Sequence, residues 1–241
     1  MSEALTALLS DLRREAGWEN TSGATSAALA IAELEGDEPI RSLVRELERA
    51  DHVDLSEDAG DIGDELWRLR SAIEAGLIKA GPRATAIIAP LLHPARSSPR
   101  DLVLARVCAR ARVSSIFPVV EAWVMDSTED ASSARLTAME CLGHLGDPRG
   151  GELIRRSLLA GASINSGWLK RIAAIALGRL QDVSALHVLL DDADWFARLG
   201  VLEAVPHLND AKARDELASR GKADVDERVR AEATRAGSKG P

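Results

Sequence analysis

Apolar residues recur at helical spacing along most of the chain. Leu5, Leu8, Leu9 and Leu12 share one face of a helix over 4–16, closed by Gly17 and the polar run Glu19-Asn20-Thr21-Ser22-Gly23. Ser26 to Leu34 predicts a second helix. Glu35-Gly36-Asp37-Glu38-Pro39 predicts a turn, with Pro39 in the first turn of the next helix. Apolar positions at 40, 43, 44 and 47 predict that helix. Leu66 to Lys79 and Pro82 to Leu92 form the next pair, and Arg100 to Arg112 and Ser114 to Met125 another. Val225 to Ala236 reads as a half-pair that caps the C-terminal end, as 4–16 caps the other.

One pattern is written three times. It runs from Ala134 through Leu142-Gly143-His144-Leu145-Gly146-Asp147-Pro148, from Leu169 through Leu177-Gly178-Arg179-Leu180-Gln181-Asp182-Val183, and from Ala197 to Asp210. A period of about 30–35 residues marks stacked supersecondary units, each too small to cover its own apolar stripe. Ala138, Ala173 and Ala174 let helices approach closely. Gly143 and Gly178 stand where a side chain would strike the neighbouring helix. Asp147, Asp182 and Asp210 share a turn position suited to capping the following helix. Arg135, Lys170 and Arg198 share a position on the first helix, so a ladder of basic residues and Asp across adjacent units is expected. In the pair before these copies the turn is degenerate, with Ala111-Arg112 where Gly146-Asp147 stand later.

The segments Arg135 to Pro148 and Lys170 to Asp182 resemble HEAT repeats, and are similar to the short HEAT-like repeats of phycobilisome bilin lyases. The resemblance covers 130–236 well and 24–126 more loosely, in the same register. It implies an all-α fold: an armadillo/HEAT-type α-solenoid, a right-handed superhelix of antiparallel helix pairs with a concave and a convex face. The expected layout is one solenoid over 1–241. A capping helix occupies 1–20, degenerate repeats 24–126 with an acidic insertion at 51–65, clear repeats 130–236, and a disordered tail 237–241. The family spans scaffolds, adaptors, lyase subunits and some DNA glycosylases, so the resemblance speaks to fold far more than to function.

Composition agrees with a helical protein. The 241 residues are 46% hydrophobic, with no Tyr and two Phe, and long Val/Ile/Thr alternations are absent. A net charge of −8 argues against a whole-surface nucleic-acid binder, which needs clustered Lys and Arg. Cys108 and Cys141 stand apart in no metal or redox spacing and read as core thiols in a reducing compartment. With no leader-like start and no long apolar run, a cytoplasmic protein without a membrane segment is expected.

Candidate binding residues fall into three groups. Trp67, Trp168, Trp195 and Phe196 lie near the starts of first helices, on the loop edge, where large aromatics serve as binding anchors or plug gaps between units. The linker 161–167 before Trp168 is Gly/Ser-rich and suits a contact loop. Trp123 reads as packing. The acidic run 51–65 carries Asp51, Asp54, Glu57, Asp58, Asp61, Asp64 and Glu65 and no basic residue. Its Gly60 and Gly63 suggest a loop, or a short helix start with Asp64 near the cap, and the run reads as a solvated insertion or a dock for a basic partner. Lys79, His144, Arg179 and His207 fall on one register and suggest a basic row that takes an anion or an acidic segment. Arg106 and Arg110, one turn apart, read either as a solvated convex face or as the best place for phosphate contacts.

No HExxH, phosphate loop, nucleophile elbow or zinc spacing is present, so no catalytic residue, metal or cofactor is assigned. The leading expectation is a non-catalytic scaffold or adaptor whose partner is another protein, basic or disordered. The alternatives are a HEAT-like alkylation-repair glycosylase, for which Trp123 and Asp126 give a faint echo, and a subunit of a bilin or other prosthetic-group lyase or chaperone.

Overall fold

The computed structural model describes residues 2–17, 20–52, 59–126, 128, 132–160 and 167–238, with the side chains of 59–62, 160 and 238 left aside. Every regular element among them is helical. The helices are α1 (Glu3–Gly17), α2 (Thr21–Glu33), α3 (Glu38–Asp51), α4 (Ala59–Ala80), α5 (Pro82–Ile88), α6 (Pro99–Arg110), α7 (Phe117–Met125), α8 (Ser132–Leu145), α9 (Arg149–Ala160), α10 (Gly167–Arg179), α11 (Val183–Leu190), α12 (Trp195–Ala204), α13 (Ala211–Lys222) and α14 (Glu227–Ser238). Single 3₁₀ turns occupy Ala89–Leu91, Ser114–Ile116 and Val205–His207. No described helix is long and apolar enough to cross a membrane. The chain divides into two compact units, Met1–Ile116 and Phe117–Pro241.

In the first unit α4 packs against α2 on one side and α6 on the other, while α1 covers α2 and α4. Leu5, Leu12, Ile31, Ile40, Leu43, Leu47, Ile73 and Leu77 are fully buried, each worth about 1.5–3 kcal/mol of transfer free energy. Gly76 lets α2 come close, since a Cβ there would lie 2.7 Å from the Ala28 carbonyl oxygen. Carboxylates stitch the helices together. Glu46 on α3 accepts from Arg13 Nε (2.8 Å) and Nη2 (2.6 Å) on α1. Glu74 on α4 accepts from Arg106 Nε (2.9 Å) and Nη2 (2.6 Å) on α6.

Three local expectations change here. The run Glu19 to Gly23 does not separate α1 from a helix beginning at Ser26. Asn20 accepts from the Gly23 amide, caps α2, and draws Thr21 to Gly23 into its first turn. Of the two readings of the acidic stretch the helix start is the one found, but α4 opens at Ala59, upstream of Asp64, and runs through both glycines. Asp51 is no solvated charge. It ends α3, and its carboxylate accepts from the Arg100 amide (3.1 Å to each oxygen) and from Arg70 Nη2 (3.3 Å).

In the second unit α8, α10, α12 and α14 follow one another side by side, and α7 packs on α8 and α9. The glycines hold as expected. A Cβ at Gly143 would meet Ala176 Cα at 2.8 Å, and one at Gly178 would meet Ala204 Cβ at 2.7 Å. Gly200, not foreseen, is tighter still, 2.6 Å from Arg171 Cα. Asp182 and Asp210 cap α11 and α13 through backbone amides, and Asp147 accepts from the Arg149 amide at 2.9 Å.

The ladder of bases and Asp forms with different carboxylates than the turn aspartates. Lys170 Nζ reaches Asp192 Oδ2 at 2.8 Å, and Arg198 reaches Asp224 with Nε (2.8 Å) and Nη2 (3.0 Å). The turn aspartates are committed to helix capping, so the bases pair with the loop that leads into the next first helix. Arg198 Nη1 also donates to the Asp192 and Ala193 carbonyls, as Arg230 Nη1 does to those of Asp224 and Val225. Arg135 takes the same role with the Asp126 and Thr128 carbonyls.

Candidate functional site

Two successive loops of the second unit have the form Asp-x-Asp: Asp192-Ala193-Asp194 and Asp224-Val225-Asp226. In each the first carboxylate accepts from the amide two residues on, at 2.9 and 2.8 Å. The second does the same for the amide of Phe196 and of Arg228, at 2.9 Å in both. These Asx turns fix the direction in which α12 and α14 begin. They put Phe196 and Arg228 at the second residue of α12 and α14, the place that Trp168 holds in α10. Gly167 gives Asp194 the room it needs, because a Cβ there would overlap its carboxylate.

The aromatic residues expected on this edge come together. The Trp168 and Phe196 rings stack with centroids 5.4 Å apart, and Phe196 meets Trp195 at 5.0 Å with a 59° tilt. Guanidiniums are interleaved with them. Arg171 lies 4.6 Å from the Phe196 centroid and 5.3 Å from that of Trp168, and Arg228 lies 3.3 Å from that of Trp195. Each guanidinium is neutralised locally. Arg171 Nε bonds Glu203 at 2.6 Å, and Arg228 bonds Asp226 with Nε (3.0 Å) and Nη2 (2.7 Å), holding that carboxyl at about 2. Burial pushes Asp192 and Asp224 upward, but their basic partners and turn amides outweigh it and leave both low. Trp168 remains 47% exposed, whereas Trp195 and Phe196 are half-buried. Anchor and plug are therefore divided between them. In the first unit Trp67, on α4, is 63% exposed.

The remaining candidates are distributed differently. His144 and Arg179 meet, with Arg179 Nη1 3.0 Å from His144 Nε2. His207 is near enough to feel both, and burial, then Arg179 and His144, press its imidazole below the usual 6.5. Lys79 belongs to the first unit and faces Glu33 at 3.6 Å. Arg106 and Arg110 both pair with Glu74, at 2.6 and 3.7 Å, so a carboxylate already occupies the place where a phosphate was expected. Asp54, Glu57 and Asp58, the Asp61 side chain and the linker over 161–166 lie outside the described residues. Trp123 is buried, and Asp126 turns back to accept from the Thr128 amide (3.0 Å) and hydroxyl (2.8 Å). These two do not form an open pair for base chemistry. Among the described residues no group of His, Cys, Asp and Glu has the arrangement to hold a metal ion.

A groove escaped the sequence reading. About 400 Å³ opens between α9, α10 and α11, lined by Leu158, Leu159, Val188 and Leu189 with Lys170 and Asp192 at its rim. Leu159 and Val188 are 87% and 73% exposed. Their signal was an apolar residue off the core stripe. The interleaved arginines were also missed, although the Asp-x-Asp spacing beside them is visible in the chain.

The sequence matches no protein-family model and no curated protein.

Proposed function

We propose that this chain is a non-catalytic binding module of HEAT-like design, its helix pairs stacked as an α-solenoid, that holds a protein partner in the cytoplasm. The observation that carries the reading is the strip Trp168–Phe196–Trp195 with its interleaved arginines. Aromatic rings locked by stacking and by paired guanidiniums lose little freedom on binding, which is what an anchor requires. Glu203 and Asp226 already satisfy Arg171 and Arg228, so the strip does not recruit an acidic ligand through them. Together with the net charge of −8, this favours a basic or disordered protein segment as the partner.

The test is capture from native lysate with the full chain and with Trp168→Ala, in nuclease-treated and untreated arms. The module reading expects a discrete protein retained in both arms and lost with W168A. Material lost on nuclease treatment and indifferent to W168A would overturn it.

A further inference from the structure

In the second unit one arrangement recurs: an arginine forks a carboxylate and at the same time lies on an aromatic ring. Arg149 bonds Asp147 with Nε (2.9 Å) and Nη2 (2.7 Å), with its guanidinium 3.9 Å from the Phe117 centroid. Arg228 bonds Asp226 in the same way and lies over Trp195. Arg171 bonds Glu203 and lies over Phe196. The carboxylate fixes the guanidinium plane, and the weakly hydrated plane then meets the ring.

Trp168 and Asp194 supply a ring and a carboxylate side by side without that third member. Three of the four aspartates on the Asp-x-Asp turns have a base: Asp192 has Lys170, Asp224 has Arg198 and Asp226 has Arg228. Asp194 accepts from the Phe196 amide through Oδ1 and meets no basic side chain among the described residues. The cause lies in the chain itself, since Arg228 stands two residues after Asp226 but Phe196 stands two after Asp194. The other oxygen, Asp194 Oδ2, lies against Gly167, the residue before Trp168, where a Cβ would overlap it. Phe196 stacks on the Trp168 ring, Arg171 stands farther off at 5.3 Å, and 47% of Trp168 still faces solvent.

We propose, resting on the reading of this edge as a partner-binding strip, that Trp168 and Asp194 form the seat of an arginine carried by the partner segment. Its guanidinium stacks on the exposed indole and donates to Asp194 Oδ2, completing at this place the arrangement that Arg149, Arg171 and Arg228 make within the chain. A lysine supplies the charge but neither the plane nor the fork, so the seat selects arginine. Asp194 is half-buried, which strengthens its attraction for a cation relative to a fully solvated carboxylate. The neighbouring guanidiniums do not oppose the newcomer, because Glu203 and Asp226 already balance Arg171 and Arg228. The net charge of −8 draws such a segment toward the chain.

The test is selection from a random linear peptide library on the immobilised full chain, counter-selected against Trp168→Ala, with the affinity of the winning peptide then measured by calorimetry. The expected peptide carries an arginine whose exchange for citrulline, the same shape without the charge, weakens binding to the wild-type chain on the order of tenfold. Asp194→Asn keeps the oxygen that caps α12 and removes the charge. D194N should lose about the same factor for the arginine peptide and nothing for the citrulline peptide, since both changes break one contact. Trp168-dependent peptides without an arginine, or an arginine peptide bound equally by wild type and D194N, would overturn the seat and leave the binding-module reading standing. A library that yields no Trp168-dependent peptide would overturn both. The citrulline comparison needs the wild-type chain alone, so it decides the point even if D194N does not fold: equal binding of the two peptides would overturn the seat.

Discussion

Arg171 spans α10 and α12 with one side chain. It grips Glu203 through two nitrogens and lays its plane over Trp168 and Phe196. A lysine could reproduce the charge but neither the fork nor the stacking, so this position is built for arginine. Residue environments are equally specific in the core. Cys108 is fully buried, and burial alone pushes its thiol up to about 12. A thiol that stays protonated is a poor nucleophile. Cys108 is therefore expected to resist a disulfide reagent at pH 8, and to react only as fast as the chain opens. Labelling with and without denaturant checks this, and rapid modification of the native chain at Cys108 would show that its surroundings are open.

At the scale of elements, turn geometry and close helix approach decide stability. First helices end on a left-handed residue at Arg112 (φ 56°), Gly146 (φ 67°) and Gln181 (φ 64°). The register here is one residue later than the sequence alignment suggested, with Arg112 rather than Ala111 opposite Gly146. A side chain in this conformation costs about 1 kcal/mol relative to glycine. Arg112→Gly should raise stability by about that amount in urea unfolding. Gln181→Gly should gain less, because it forfeits the bonds to Gly178, His207 and Asn209. Gly178→Ala should do the opposite. Its Cβ would lie 2.8 Å from the Ala204 carbonyl oxygen, a backbone atom that cannot step aside cheaply, and a loss of about 1–3 kcal/mol is expected. A neutral Gly178→Ala would mean that α10 and α12 are not packed this closely.

Across each unit, periodicity made most helices legible, because one apolar stripe every turn leaves little choice of element. The glycines of close approach and the capping aspartates were legible for the same reason, since they recur at a fixed place in each copy. Pairing between side chains was not. Asp51, Asp192 and Asp224 take their roles from partners about 20–50 residues away along the chain. No local pattern separates a carboxylate that meets a base from one that meets water. The aromatic edge lay between these cases. Trp168, Trp195 and Phe196 could be put on one edge by register, but their mutual stacking and the arginines between them depend on how the first helices are aimed by the Asp-x-Asp turns. The basic row was legible only in part for a related reason: Arg179 meets His144, while Lys79 pairs with Glu33.

In the proposed function a protein partner seats on the strip headed by Trp168. The most direct measurement is site-specific photo-crosslinking in native lysate, with a photoreactive residue at position 168 and, as control, at Glu152, an exposed position on α9. A discrete protein adduct is expected from position 168 that is absent from position 152 and survives nuclease treatment. The same adducts from both positions, or adducts to nucleic acid alone, would contradict it.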